Sequence, residues 1–300
     1  MASSLETFNL EFPNPMGGTV TLPCQYFAVD WLEDSIDHYF FNQQSIETVE
    51  KLELFNEIVL AVEAIHRYEV FHRDLKADNL RAYTKALKKI VIAIDFGTAA
   101  RHSSPHLQIT YQQNVGAIGY ASIEALSGLA GHRTLAPKTD IYALGCLLFE
   151  LFNFDYFYHK LHDLNNHYCA VQFAMASYLQ GATSEQQKFA AWKLAIAKFS
   201  KSFVAVPIDS SGSTVPKVIA PILNDCLNLL TNVDCLKRPA DLSAIRRKIR
   251  SAITCLKNEK VYQARLQSQR EMRRIKNENA LAKVARLASI LNMDSNNAGR

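Results

Sequence analysis

Residues 72–79 read His-Arg-Asp-Leu-Lys-Ala-Asp-Asn, and sixteen residues further on Asp95-Phe96-Gly97 closes the apolar run Ile90-Val91-Ile92-Ala93-Ile94. Asp74, Asn79 and Asp95 offer oxygens as metal ligands or proton acceptors, and Lys76 sets a point cation beside them. A few hard oxygens that leave room for water and phosphate suit Mg2+. A carboxylate near a hydroxyl can accept its proton. A lysine two residues away can stabilise charge on a phosphoryl group in transit. Together these groups suit phosphoryl transfer from a magnesium nucleotide.

Such a set needs elements to bring it together. Leu5–Phe12 and Thr19–Val29 flank Pro13-Asn14-Pro15-Met16-Gly17-Gly18, which predicts a hairpin. Phe55, Ile58, Val59, Val62 and Ile65 form a helical stripe within residues 48–68. Lys89–Ile94 reads as a β-branched strand. Residues 138–153 read as an apolar helix buried nearly all round, and the apolar run from Ile141 to Phe154 is broken by Glu150. Thr183-Ser184-Glu185 signals a helix start, and Asp209–Pro216 a loop. The rest of 155–220 gives no clear pattern. From Pro239 to Gly299 there is neither Gly nor Pro, which predicts two helices with a break.

The chain has 300 residues, 48% hydrophobic and 21% charged, which excludes wholesale disorder. Six scattered cysteines without a CxxC pair read as buried reduced thiols. The start lacks the basic and apolar regions of a secretory signal, and no apolar run is long enough to span a bilayer, so a cytoplasmic location is expected. The net charge of +4 is uneven: residues 246–300 carry 14 Lys/Arg against 4 Asp/Glu, and the first fifty residues contain no Lys or Arg. The basic tail has no interleaved aromatics for base stacking, so nucleic acid is not its expected partner. A solvated helix whose apolar side (Leu281, Val284, Ala288, Leu291) packs on the body or on a partner chain is expected instead. His159, His162 and His167 follow no metal-site spacing and read as surface or packing residues. The aromatics Phe152, Phe154, Tyr156, Phe157 and Tyr158 read as core or groove packing.

HRDLKADN followed by DFG resembles the catalytic and magnesium-binding loops of eukaryotic-type protein kinases. The resemblance implies Asp74 as catalytic base, Lys76 as the phosphate-facing cation, and Asn79 and Asp95 as Mg2+ ligands. Lys76 at that place resembles the Ser/Thr-specific branch. Gly116 to Glu124 resembles the end of an activation segment, and Asp140-Ile141-Tyr142-Ala143-Leu144-Gly145 the start of the buried central helix. Arg238-Pro239 resembles the late arginine that pairs with the segment's glutamate, here Glu124. Gln113 falls near the usual activation phosphosite, so Arg73 would lack a phosphate partner there, with Thr110 and Tyr111 the nearest candidates. Phe27 to Glu33 resembles the last small-lobe strand and hinge, where the backbone of Asp30 and Leu32 would bind adenine and Val29 would be gatekeeper. The resemblance covers about residues 20–256.

The implied fold is α+β: a mainly helical kinase-like large lobe (31–256), a β-hairpin remnant of the small lobe (1–30) and a basic helical tail (257–300). A full small lobe takes about 60–65 residues, and only 29 precede Asp30. There is no glycine-rich phosphate loop, and no Lys precedes Lys51, so the usual strand lysine is missing. Losing one such charge partner typically costs ~3–4 kcal/mol of barrier. Ala117 replaces a threonine that usually steadies the catalytic loop, and Arg81 replaces an apolar floor of the adenine site. The implied activity is transfer of the ATP γ-phosphoryl to a protein hydroxyl, with ATP and Mg2+ as cofactors. A pseudokinase or scaffold and a small-molecule kinase are the alternatives.

Overall fold

The computed structural model describes residues 6–26, 32, 34–40, 46–86, 88–101, 115–153, 155–208, 215–258 and 265–283. Val29, Asp30 and Trp31 of the expected hinge, the segment around Gln113, residues 209–214 of the expected loop and the tail residues Val284, Ala288 and Leu291 lie outside the described residues.

Strands β1 (Glu6–Pro13) and β2 (Thr19–Tyr26) pair antiparallel, with Leu10 opposite Leu22 and Phe12 opposite Val20. Gly17 and Gly18 take the left-handed conformation (φ +97° and +87°) that closes the turn, and the Asn14 and Gly17 N–H groups bond across it. This two-stranded sheet pairs with no other described strand. Phe12, Val20 and Leu22 stay 41–49% exposed.

The rest encloses one main core and a small second cluster of Phe71, Ala100 and Ala136. Helix α1 (Thr48–Arg67) buries Leu52, Phe55, Ile58, Val59 and Val62, as its stripe requires. It lies on strand β6 (Lys88–Ala93), which pairs with β5 (Leu80–Lys85); β5 in turn pairs with the short β3 (Asp34–Ser35). A second small ladder joins β4 (Val70–Phe71) to β7 (Ala100–Arg101). Helix α2 (Ala136–Phe152) runs through the centre, and every residue from Asp140 to Phe152 is buried. The unpatterned stretch holds α3 (Phe157–Leu164), α4 (Tyr168–Ser177) and α5 (Glu185–Phe199). Ser184 caps α5, and its hydroxyl and the Gln187 side chain exchange bonds with each other's backbone N–H. Helices α6 (Ala220–Leu230) and α7 (Ser243–Lys257) close the body against α2 and α1. A side chain at Gly145 would collide with Thr231 and Leu230, so glycine lets α2 and the end of α6 touch.

The tail breaks as expected, resuming as helix α8 over residues 265–283. Leu266 touches the core and Arg265 bonds Ser251 at 2.9 Å, but Met272 and Leu281 are each 70% exposed. The helix leaves the body after its first turn, so its later apolar residues meet nothing described. Cys146, Cys226, Cys235 and Cys255 are buried free thiols, whereas Cys169 is exposed on α4. His159 pairs with Asp155, His162 packs on Tyr158 and Tyr168, and His167 bonds the Ser202 carbonyl.

Glu124 and Arg238 form the buried pair that the sequence suggested. Both side chains are fully buried and meet through two hydrogen bonds, Arg238 Nη2 reaching Glu124 Oε2 at 3.1 Å. Arg238 also donates to the Asn232 and Lys138 carbonyls, and Tyr142 covers its guanidinium. Arg238→Ala strands a buried carboxylate, and we expect it to cost ~3–5 kcal/mol in urea unfolding. The double change Glu124→Leu with Arg238→Met should cost clearly less than the single one. Equal losses would show that the stranded charge is not what destabilises.

Candidate functional site

The loop from His72 to Asn79 is held from below by Asp140 in the first turns of α2. Its carboxylate accepts the backbone N–H of His72 and of Arg73, each at 2.8 Å, and meets His66 Nε2 at 2.9 Å. Burial raises the Asp140 carboxyl, but the His66 bond and charge and the two N–H groups outweigh it, leaving the carboxyl below its ordinary range. These bonds hold Arg73 at φ +68°, a left-handed conformation that a long side chain rarely adopts. Arg73 itself is buried.

That bend presents Asp74, whose carboxylate is gripped at both oxygens. Oδ1 accepts the Ala117 N–H at 2.8 Å, and Oδ2 accepts from Asn79 Nδ2 at 3.1 Å. The same Nδ2 bonds the Asp74 carbonyl at 2.7 Å. Lys76 Nζ stands 3.8 Å from Asp74 Oδ2 and 3.8 Å from Asp78 Oδ2. A methyl on Gly116 would overlap the Arg73 carbonyl and press on Asp74, so the glycine lets residues 116–117 lie against the loop. The threonine expected by resemblance at position 117 is absent, yet the backbone N–H there still orients Asp74.

Asp95 follows β6, and β5–β6 pairing sets its place. Leu80 faces Ala93 in register, and the Ile94 N–H donates to the Asn79 carbonyl at 2.9 Å. His72 Nε2 donates to the Ile94 carbonyl at 2.8 Å, and Thr98 Oγ1 donates to the His72 carbonyl at 3.0 Å. Asp95 is exposed and left-handed (φ +57°), with Oδ1 accepting the Gly97 N–H at 3.3 Å. Asn79 therefore bridges the two motifs, its side chain on Asp74 and its backbone on the residue before Asp95. Because its amide NH2 is committed to Asp74, its Oδ1 remains an acceptor. An amide oxygen and an exposed carboxylate fit a small hard cation. Among the described residues no cluster of three or more His, Cys, Asp and Glu could hold a metal.

Of the expected adenine contacts, Leu32 is half-buried and Asp30 lies outside the described residues. Arg81 turns its guanidinium onto the Asp78 and Leu80 carbonyls. Two residues were missed in the sequence. His66 could have been suspected as a histidine in the last turn of a helical stripe. Glu150 could have been suspected as a lone acid in a buried helix. It is 1% exposed, accepts the Tyr120 hydroxyl at 2.7 Å, and burial pushes its carboxyl up to about 8. Tyr120 lies in the segment that presses on Asp74.

Residues 19–248 match the protein kinase domain family, and the chain belongs to it. A Dictyostelium discoideum protein named "Probable serine/threonine-protein kinase" is 27% identical over 205 residues, covering 68% of this chain and 25% of that protein. Serine/threonine-protein kinase PrkC of Bacillus subtilis is 33% identical over 129 residues, covering 42% of this chain and 18% of that protein. The chain thus spans a quarter or less of the length of these relatives. The crystal structure of the yeast RNA Pol II CTD kinase complex CTDK-1 aligns with a TM-score of 0.46 at 17% identity, over 81% of this chain and 73% of that one.

Glu150 gives a pH signature. A carboxyl that titrates near 4.5 when unfolded and at about 8 when folded binds its proton more tightly in the native state. Its contribution is therefore most favourable below pH 4.5, declines between 4.5 and 8, and is flat above. We expect the stability of the wild type minus that of Glu150→Gln to fall by ~3–5 kcal/mol between pH 4.5 and 8 in urea unfolding. Parallel pH curves for the two proteins would contradict this.

Proposed function

We propose that the chain is a Ser/Thr-type protein kinase that transfers the ATP γ-phosphoryl to a protein hydroxyl. One observation supports this most: Asn79 ties the Asp74 carboxylate to the strand end that carries Asp95. Asp74 serves as the base. The acceptor hydroxyl oxygen bonds to the γ-phosphorus, the bond to the β,γ-bridging oxygen breaks, and ADP leaves. The hydroxyl proton passes to Asp74. The Ala117 N–H and Asn79 amide aim the carboxylate, so no reorientation is needed at that moment. Lys76 lies within reach of the transferring group and offsets its charge. Asn79 and Asp95 would hold Mg2+, which when bound supplies positive charge against the phosphate oxygens. The backbone of Asp30 and Leu32 would take the adenine.

The division into a small-lobe remnant (1–30), a large lobe (31–256) and a tail (257–300) accompanies this reading, with the exposed α8 helix available to a partner chain. Among the described residues no helix is long and apolar enough to cross a membrane. The free buried thiols suit a reducing compartment such as the cytoplasm. The buried Glu124–Arg238 pair and the Asp140 anchor favour a protein substrate over a small molecule.

A second reading, a pseudokinase or scaffold, draws on the hairpin that pairs with no other described strand. Purified chain incubated with labelled ATP and Mg2+ should incorporate label, and Asp74→Ala should lose ~10²–10⁴ of the rate. Mg-ATP should also raise the melting temperature, since a ligand that binds only the native state stabilises it. Equal incorporation by wild type and variant would remove the assigned chemistry. No incorporation and no thermal shift would favour the scaffold.

A further inference from the structure

Helices α6, α7 and α8 meet around a pocket of 460 Å3 that shares no lining residue with the loop of residues 72–79. Arg247, Lys248 and Ser251 of α7, Arg265 and Gln269 of α8 and Asp225 of α6 line it. Arg247 and Ser251 stand four residues apart and so share one face of α7. Lys248 is paired with Asp225. The other two cations have no carboxylate. Arg247 is exposed and makes no hydrogen bond or ion pair among the described residues. Arg265 is half-buried, and its bonds among the described residues all leave from Nη1, to Ser251 Oγ at 2.9 Å and to Cys255 Sγ at 3.6 Å. Its Nε and Nη2 are uncommitted there. Ser251 accepts from Arg265 but gives its own proton to no described acceptor, and the Gln269 amide is likewise unused. Three cations thus face one carboxylate, a net +2, with neutral donors beside them.

A half-buried guanidinium that meets only a hydroxyl and a thiol has given up water without gaining an anion. A single arginine fork satisfies a carboxylate, whereas a phosphate monoester carries about −1.5 to −2 charge at neutral pH and three strong acceptor oxygens. That matches the charge of the pocket and donors that arrive from two helices. No aromatic side chain lines the pocket, so a nucleobase would find no platform to stack on. Its concave shape suits one compact group rather than a flat anionic surface. We propose that this pocket binds a phosphate monoester, gripped by Arg247 and Arg265 with Lys248, Ser251 and Gln269 as further donors. The bound group ties the start of α8 to α7. The site stands apart from the Asp74 chemistry and serves an enzyme and a scaffold equally.

The test uses the full chain and a labelled, otherwise neutral peptide with one phosphoserine, beside its serine and glutamate counterparts. Fluorescence anisotropy should show the phosphopeptide binding about tenfold tighter than either counterpart. Arg247→Gln with Arg265→Gln should erase that preference. Arg247→Gln alone changes an exposed side chain without a partner, so circular dichroism should show an intact fold while the affinity still falls several-fold. Arg270→Gln with Arg273→Gln removes the same charge from α8 outside the pocket and should leave the preference unchanged. Inorganic phosphate competes in a separate arm. Displacement at a concentration near the peptide's own Kd identifies a free phosphate compound as the ligand, and displacement only at far higher concentration identifies a phosphorylated protein segment; both uphold the site. A phosphopeptide that binds no tighter than its counterparts overturns the proposal. So does an equal loss in the pocket variants and the outer α8 variant, which would be the general field of a basic helix.

Discussion

One buried carboxylate organises the site. Asp140 sits in the central helix with almost no solvent, and an ion there is tolerable only when fully hydrogen-bonded. It meets that condition with the two N–H groups that start the loop of residues 72–79 and with His66 from the end of α1. The same bonds that satisfy the charge force Arg73 into a left-handed turn and so aim Asp74 outward. Stability and positioning thus come from one set of contacts. Loosening the loop would leave a bare carboxylate inside the core.

From that anchor the site grows by short hydrogen bonds rather than by packing alone. Asn79 reaches Asp74 with its side chain and Ile94 with its backbone, and the β5–β6 ladder extends the connection to Asp95. Residues 116–117 close over the loop because a glycine permits contact at backbone distance. The Glu124–Arg238 pair holds the far end of that segment against the body. The hairpin side is less built. The hairpin carries exposed Phe12, Val20 and Leu22 and pairs with no other described strand, and a two-stranded sheet alone is marginal.

The parts legible in the sequence are those whose signal is local. The loop and the Asp95 motif are contiguous strings, the hairpin turn has two glycines, and α1 shows its stripe. The near-continuous apolar pattern of α2 announced a helix buried on every side, which it is. Within residues 155–220 the only helix the sequence marked is α5, by its capped start at Ser184, because the helices there bury little: α4 covers only Tyr168 and Met175 fully, so no stripe stands out. Glu150 and His66 act across long sequence distances, 30 residues to Tyr120 and 74 to Asp140, and no spacing rule reaches that far.

The central claim is that two separate motifs share one divalent-nucleotide site. Paramagnetic line broadening by Mn2+-ATP in the backbone NMR spectrum tests it most directly. The account predicts that broadening concentrates on the amides of residues 74–79 and 94–97 together. Broadening of one segment without the other, or at neither, would contradict it.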